Sequence, residues 1–76
     1  MNDKRRNKIR EAIVLIDRAE QIVDRARDAE SDAFDNLPDG IQESERGEKI
    51  EDAVEALDSA LESLMEAKTS LQAATG

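Results

Sequence analysis

The sequence contains no histidine, cysteine, tryptophan or tyrosine, and only one phenylalanine, one proline and three glycines. Without His or Cys, thiolate and imidazole metal sites are excluded, as are a cysteine nucleophile, a Ser–His–Asp triad and a disulfide framework. The lack of cysteine also leaves the redox compartment unmarked. The longest apolar run, Ile13-Val14-Leu15-Ile16, falls far short of the ~20 residues that a membrane span needs. No apolar signal-peptide core follows the basic start, so a soluble, cytoplasmic chain is expected. Seventy-six residues make one small domain at most.

What is abundant is charge and alanine. High charge with few aromatics can mark disorder, so the apolar periodicity decides. With Ile9 at position a of a heptad, a holds Ile9, Ile16 and Val23, and d holds Ala12, Ala19, Ala26 and Ala33. With the count restarted at Ile50, a holds Ile50, Leu57, Leu64 and Leu71, and d holds Ala53, Ala60, Ala67 and Ala74. The pattern predicts two amphipathic helices. Alanine at d lets two backbones approach to the short end of the usual 8–10 Å range, and it has the highest helix propensity. The expected seam therefore alternates large aliphatics with alanine.

Between the two periodic segments lies Asp35-Asn36-Leu37-Pro38-Asp39-Gly40-Ile41-Gln42. Pro38 has no amide hydrogen and biases Leu37 away from the helical region. Gly40 permits a positive φ, and Asn36 and Asp39 favour turns. Helices are predicted at about 4–35 and 44–74, each roughly 45–48 Å long, with Ser44 as N-cap of the second and Glu45 and Glu48 in its first turn. Gly47 is a weak position for a first turn and argues for a later start. Two helices of equal length joined by a short loop imply an all-α antiparallel hairpin, one domain over residues 1–76.

The apolar stripe is wider than one partner helix covers. Ile13, Phe34, Val54 and Leu61 fall at e, and Leu15 and Ile22 at g. These six are the candidate oligomer interface, and a core at this size is marginal without self-association. A homodimeric four-helix bundle is the economical expectation, with a higher oligomer open. Val14 and Met65 lie outside the stripe as scattered surface residues or part of a second contact.

Charge is unevenly distributed within a formal total of −8. The N-terminal turns hold Lys4, Arg5, Arg6, Lys8 and Arg10, opposed only by Asp3. A basic cluster at a helix N-terminus conflicts with the dipole and requires an anion. Either Glu62 and Glu66, brought near by the hairpin, supply it, or a phosphate-bearing ligand or acidic partner does. The overall negative charge opposes duplex DNA binding. Toward the loop, Asp39, Glu43, Glu45, Glu48, Glu51 and Asp52 belong to an acidic surface interrupted only by Arg46 and Lys49. It either solubilises the chain or imitates nucleic-acid phosphates and docks on a basic protein groove. The loop lacks the 1-3-5 oxygen ligands of an EF-hand, and a di-iron bundle would use His. No metal, cofactor or catalytic residue is assigned, and enzyme activity is not expected.

Phe34-Asp35-Asn36-Leu37-Pro38-Asp39-Gly40-Ile41-Gln42-Glu43-Ser44-Glu45-Arg46-Gly47-Glu48 resembles a signature of small acidic helical proteins of phages and prophages. These combine a basic first helix, an Asp-Asn-Leu-Pro turn, a Ser-Glu-Arg-Gly-Glu segment and a second helix rich in Ala, Leu, Glu and Asp. The resemblance implies a setting in an infected or lysogenic bacterial host and supplies no active site. The same residues also have turn and cap roles: Phe34 and Leu37 close the bundle end, and Arg46 reaches back to Asp35 or Asp39. By analogy with phage accessory proteins, the expected function is non-enzymatic neutralisation of a host defence factor, as an inhibitor of a protein with a basic groove. The alternatives are an oligomeric sponge for a small anionic nucleotide held near Lys4, Arg5, Arg6, Lys8 or Arg10, and an assembly accessory of the virion.

Overall fold

The computed structural model describes residues 2–76. Three helices follow one another: α1 (Asp3–Asp35), α2 (Asp39–Gln42) and α3 (Glu45–Thr75). The two long helices pack antiparallel into a hairpin, with α2 forming its closed end against α3. The result is a rod with extents of 58 × 14 × 13 Å. No helix is long and apolar enough to cross a membrane among the described residues.

Local chemistry explains the boundaries. Asn2 caps α1, its Oδ1 accepting from the Arg5 amide at 2.9 Å, which satisfies one of the free donors at a helix start. The chain leaves α1 at Asn36 and is held extended at Pro38 (φ −57°, ψ 148°). Pro38 then begins α2, with its carbonyl accepting from the amides of Ile41 and Gln42. The expected simple loop is thus a loop with a helical turn in it. Gly40 lies inside that turn, and no glycine has a positive φ; the freedom that glycine permits at Gly40 is not used, and the backbone there is right-handed helix.

Ser44 occupies the N-cap position of α3, but its hydroxyl donates backward to the Ile41 carbonyl and makes no cap bond. Nor does Gly47 signal a later helix start. It is the one buried residue among those described, and α2 lies directly over it. A Cβ at this position would meet the backbone of Gln42, whose carbonyl carbon would be 2.6 Å away. Glycine is there to admit a neighbouring backbone.

The seam departs from the strict heptad. In the N-terminal half of α1, Ile9, Ala12, Ile13, Ile16, Ala19 and Val23 are half-buried; beyond Val23 the covered positions are Arg27, Glu30, Ser31 and Phe34, while Ala26 and Ala33 are exposed. In α3 the same happens: Ala53, Leu57, Ala60 and Leu64 are covered, then Lys68, Leu71 and Thr75, while Ala67 and Ala74 are exposed. Half of the expected alanine layers therefore lie outside the seam. An uncoiled helix drifts about 20° per heptad against a 3.5-residue repeat. Over three heptads the contact moves from d to e, and these helices are not wound enough to cancel it.

The two helices follow this drift in parallel because they correspond residue for residue. Ile9 matches Ile50, Ile16 matches Leu57, Asp17 matches Asp58, Val23 matches Leu64 and Arg27 matches Lys68, each pair 41 positions apart. An antiparallel pair with this correspondence has an approximate two-fold axis across the rod, and its ion pairs obey it. Arg27 reaches Asp58 on α3 at 3.0 Å, and Lys68 reaches Asp17 on α1 at 2.9 Å. Each cation enters the seam where an alanine has rotated out. No hydrophobic side chain is fully buried among the described residues.

Candidate functional site

The loop end gathers most of the expected acidic surface. Asp39 lies in α2 and Glu43 ends it, while Glu45, Glu48, Glu51 and Asp52 follow in the first two turns of α3; all six are exposed. Glu45, Glu48, Asp52 and Glu55 recur at helical spacing along one outer face of α3. Lys49 meets Glu45 at 3.5 Å, a pairing between well-exposed groups. The other five expected acidic residues have no ion pair among the described residues. Arg46, expected to reach Asp35 or Asp39, pairs with neither and has no ion pair among the described residues.

Beside this surface runs a shallow groove of about 180 Å³ lined by Ser31, Phe34, Glu51, Val54 and Glu55. Phe34 and Val54 come from facing helices and are half-buried at e positions. The turn sets Phe34 in place, because Gln42 donates its side-chain amide to the Phe34 carbonyl at 3.2 Å. The only aromatic ring of the chain thus forms part of an apolar floor with carboxylates on its rim. Two groups of expected residues, one for self-association and one for an acidic docking surface, meet here.

The remaining expected interface residues divide by flank. Ile13 and Leu61 are half-buried at the edge of the intrachain seam. Leu15 and Ile22 are 61% and 57% exposed, and Val14 and Met65 are likewise mostly uncovered.

At the basic end, Glu62 and Glu66 do not supply the expected counter-charge. Lys68 contacts Asp17 and Glu20, which puts Glu66 near the height of Arg18, about 12 Å along the axis from Arg10. Arg6 pairs instead with Asp3 at 3.5 Å and Lys8 with Glu11 at 4.0 Å, both within α1. Arg10 donates to Asn7 at 3.2 Å. Lys4 and Arg5 have no ion pair among the described residues, and with Asn2, Lys8 and Ile9 they line an open concavity.

The electrostatic features missed by periodicity are Arg27 and Lys68. Arg27 is tied to Asp58, Asp24 and Asp28, which raise its already high pKa. Lys68 meets Glu20 at 2.8 Å and Asp17 at 2.9 Å, and these carboxylates raise it above the ordinary lysine value of 10.5. Glu20 Oε1 is shielded from water against that ammonium. The signal that could have found them is the matched position of Arg27 and Lys68 in the two helices, each facing the other's matched aspartate. No group of three or more carboxylates converges to hold a metal ion among the described residues.

No protein-family profile, curated protein or solved structure matches this chain.

Proposed function

We propose that this chain is a non-enzymatic binding protein of the phage accessory type. Its hairpins self-associate into a helical bundle and present the acidic loop end to a basic groove on a host protein, whose activity is thereby blocked. The observation that carries this reading is the groove at the loop end. Its floor of Phe34 and Val54 excludes water from part of a contact, and Glu51 and Glu55 on its rim select for lysine and arginine. The neighbouring carboxylates of Glu48 and Asp52 extend the negative surface without intramolecular cations to neutralise it.

The test compares the native chain with the triple variant Glu48→Lys, Glu51→Lys, Asp52→Lys as bait in a host lysate. A basic protein held by the native chain at low salt, released as salt rises and absent from the variant, supports the reading. The same set of proteins captured by both baits would refute it.

One observation favours a second reading, the anionic-nucleotide sponge. The basic turns of α1 receive no carboxylate from α3, so Lys4 and Arg5 are available to phosphate. Titration calorimetry with cyclic nucleotides separates the two readings, because absence of heat together with absence of a thermal shift eliminates the sponge.

A further inference from the structure

The two flanks of the hairpin differ. The e positions of α1 and α3 stand side by side, as the 2.8 Å contact of Glu20 with Lys68 shows, and ion pairs bridge the middle of that flank, with the Phe34–Val54 groove beyond them at the loop end. The g positions must then share the opposite flank, and no ion pair crosses it among the described residues. Leu15 and Ile22 are exposed there by more than half, and Ala26, Ala29 and Ala33 continue the row toward the loop, also exposed. From α3 the same flank receives Ala56, Ala67 and Ala74, all uncovered.

We propose that this flank is closed by a second copy of the chain, related by a two-fold axis. This rests on the self-association proposed above and assigns the surface through which it occurs. Charge selects the occupant. On α1 the apolar row is bordered by Arg18, Arg25 and, next to the loop, Asp32, and on α3 by Asp52 and Glu66; none of the five has an ion pair among the described residues, and all are exposed. A basic partner is opposed by the arginine border, and a nucleic acid or acidic partner by the carboxylate border. A second copy turned about a two-fold along the rod lays α1 of each chain along α3 of the other, which sets an arginine against a carboxylate at the middle of the flank. Arg18 and Glu66 stand at the same height, since Lys68 contacts Asp17, so the axis brings Arg18 against Glu66 of the partner subunit. Docking also covers the half-exposed seam, which alone buries no hydrophobic side chain fully. An isologous pairing of this kind makes a four-helix bundle.

Light scattering and analytical sedimentation of the full chain test the assignment, with circular dichroism as the folding control. The native chain is expected to be a dimer or a multiple of one. Ile22→Glu is expected to weaken association by at least about tenfold while helicity is kept, since residue 22 is exposed within the hairpin. Met65→Glu, on the opposite flank, should associate as the native chain does. Arg18→Glu should weaken the assembly, and Arg18→Glu with Glu66→Arg should restore it. If Ile22→Glu and Leu15→Glu stay as oligomeric as the native chain, this flank is not the interface, although self-association stands. A monomeric native chain would overturn both.

Discussion

Gly47 gives the sharpest prediction of fold energetics, because two physical effects act on it with opposite signs. Replacing a glycine inside a helix by alanine ordinarily stabilises by about 0.8–1.0 kcal/mol. On propensity alone, Gly47→Ala is therefore an improving change. In the hairpin, however, the new methyl group would run into the Gln42 carbonyl group, lying 2.6 Å from its carbon and 2.9 Å from the Gln42 Cα. These are backbone atoms, held by the hydrogen bonds from Gln42 to Pro38 and Phe34, so no flexible side chain can move aside. Overpacking of this kind costs about 1–3 kcal/mol, with a rigid neighbour toward the upper end. The net expectation is a loss of about 1–2 kcal/mol. For a domain of this size each kcal/mol shifts Tm by about 4–8 °C, so Tm should fall by about 5–15 °C. The measurement is a thermal melt followed by circular dichroism at one fixed protein concentration, because association would otherwise contribute. Gly40→Ala is the matched control. It lies in the helical turn α2 with nothing within 4 Å of an added Cβ, so it should raise stability by about 0.5–1 kcal/mol. An unchanged or higher Tm for Gly47→Ala would refute the reasoning and show that α2 does not press on α3.

Asn2→Ala removes the side-chain cap on α1 and should cost about 1 kcal/mol, read as faster amide exchange confined to the first turn of α1. The Lys68 contribution depends on pH in a defined direction. Its folded pKa is raised above 10.5 by Glu20 and Asp17, so the stabilisation is complete below the unfolded value and is lost as pH rises through the folded one. The Tm difference between the native chain and Lys68→Met should thus be constant from pH 7 to about 9.5 and shrink above about pH 10.5; a gap that persists unchanged at pH 12 would rule out the charge as its cause. Asp17→Asn and Asp58→Asn, which occupy matched positions, should each lower Tm. A double-mutant cycle of Arg27→Gln with Asp58→Asn should show coupling that weakens in high salt.

The two long helices were legible in the sequence because large aliphatics and alanines repeat at fixed spacing, and because Pro38 stops the repeat between them. Their observed bounds differ from the expected ones by a single residue at each displaced end. The rotation of the seam was not legible in the heptad assignment, since a strict seven-residue register presumes supercoiling that these helices do not undergo. The heptad puts Ala26, Ala33, Ala67 and Ala74 inside on that assumption, whereas Arg27 and Lys68 take the places beside them in the structure. The single turn α2 escaped because four residues have no periodicity to display, and with it went the reason for Gly47. At the candidate site, the acidic residues were visible as composition. Their meeting with Phe34 and Val54 in one groove depends on which positions of two helices face each other at the closed end, and that is set by the drift.

The 41-residue correspondence also bears on how the chain chooses its partner helix. Under that shift α1 and α3 present nearly equivalent edges, so an α1 edge set against the α1 of a second copy would again put Arg27 opposite an aspartate, Asp17 in place of Asp58. Selection of the intramolecular fold then falls to the segment between Asn36 and Ser44, which keeps the two edges within reach and lets them close before a neighbouring molecule does. Straightening that segment into continuous helix would give two opened chains that exchange halves and preserve every seam contact, an outcome that Pro38 and the turn around it are placed to prevent.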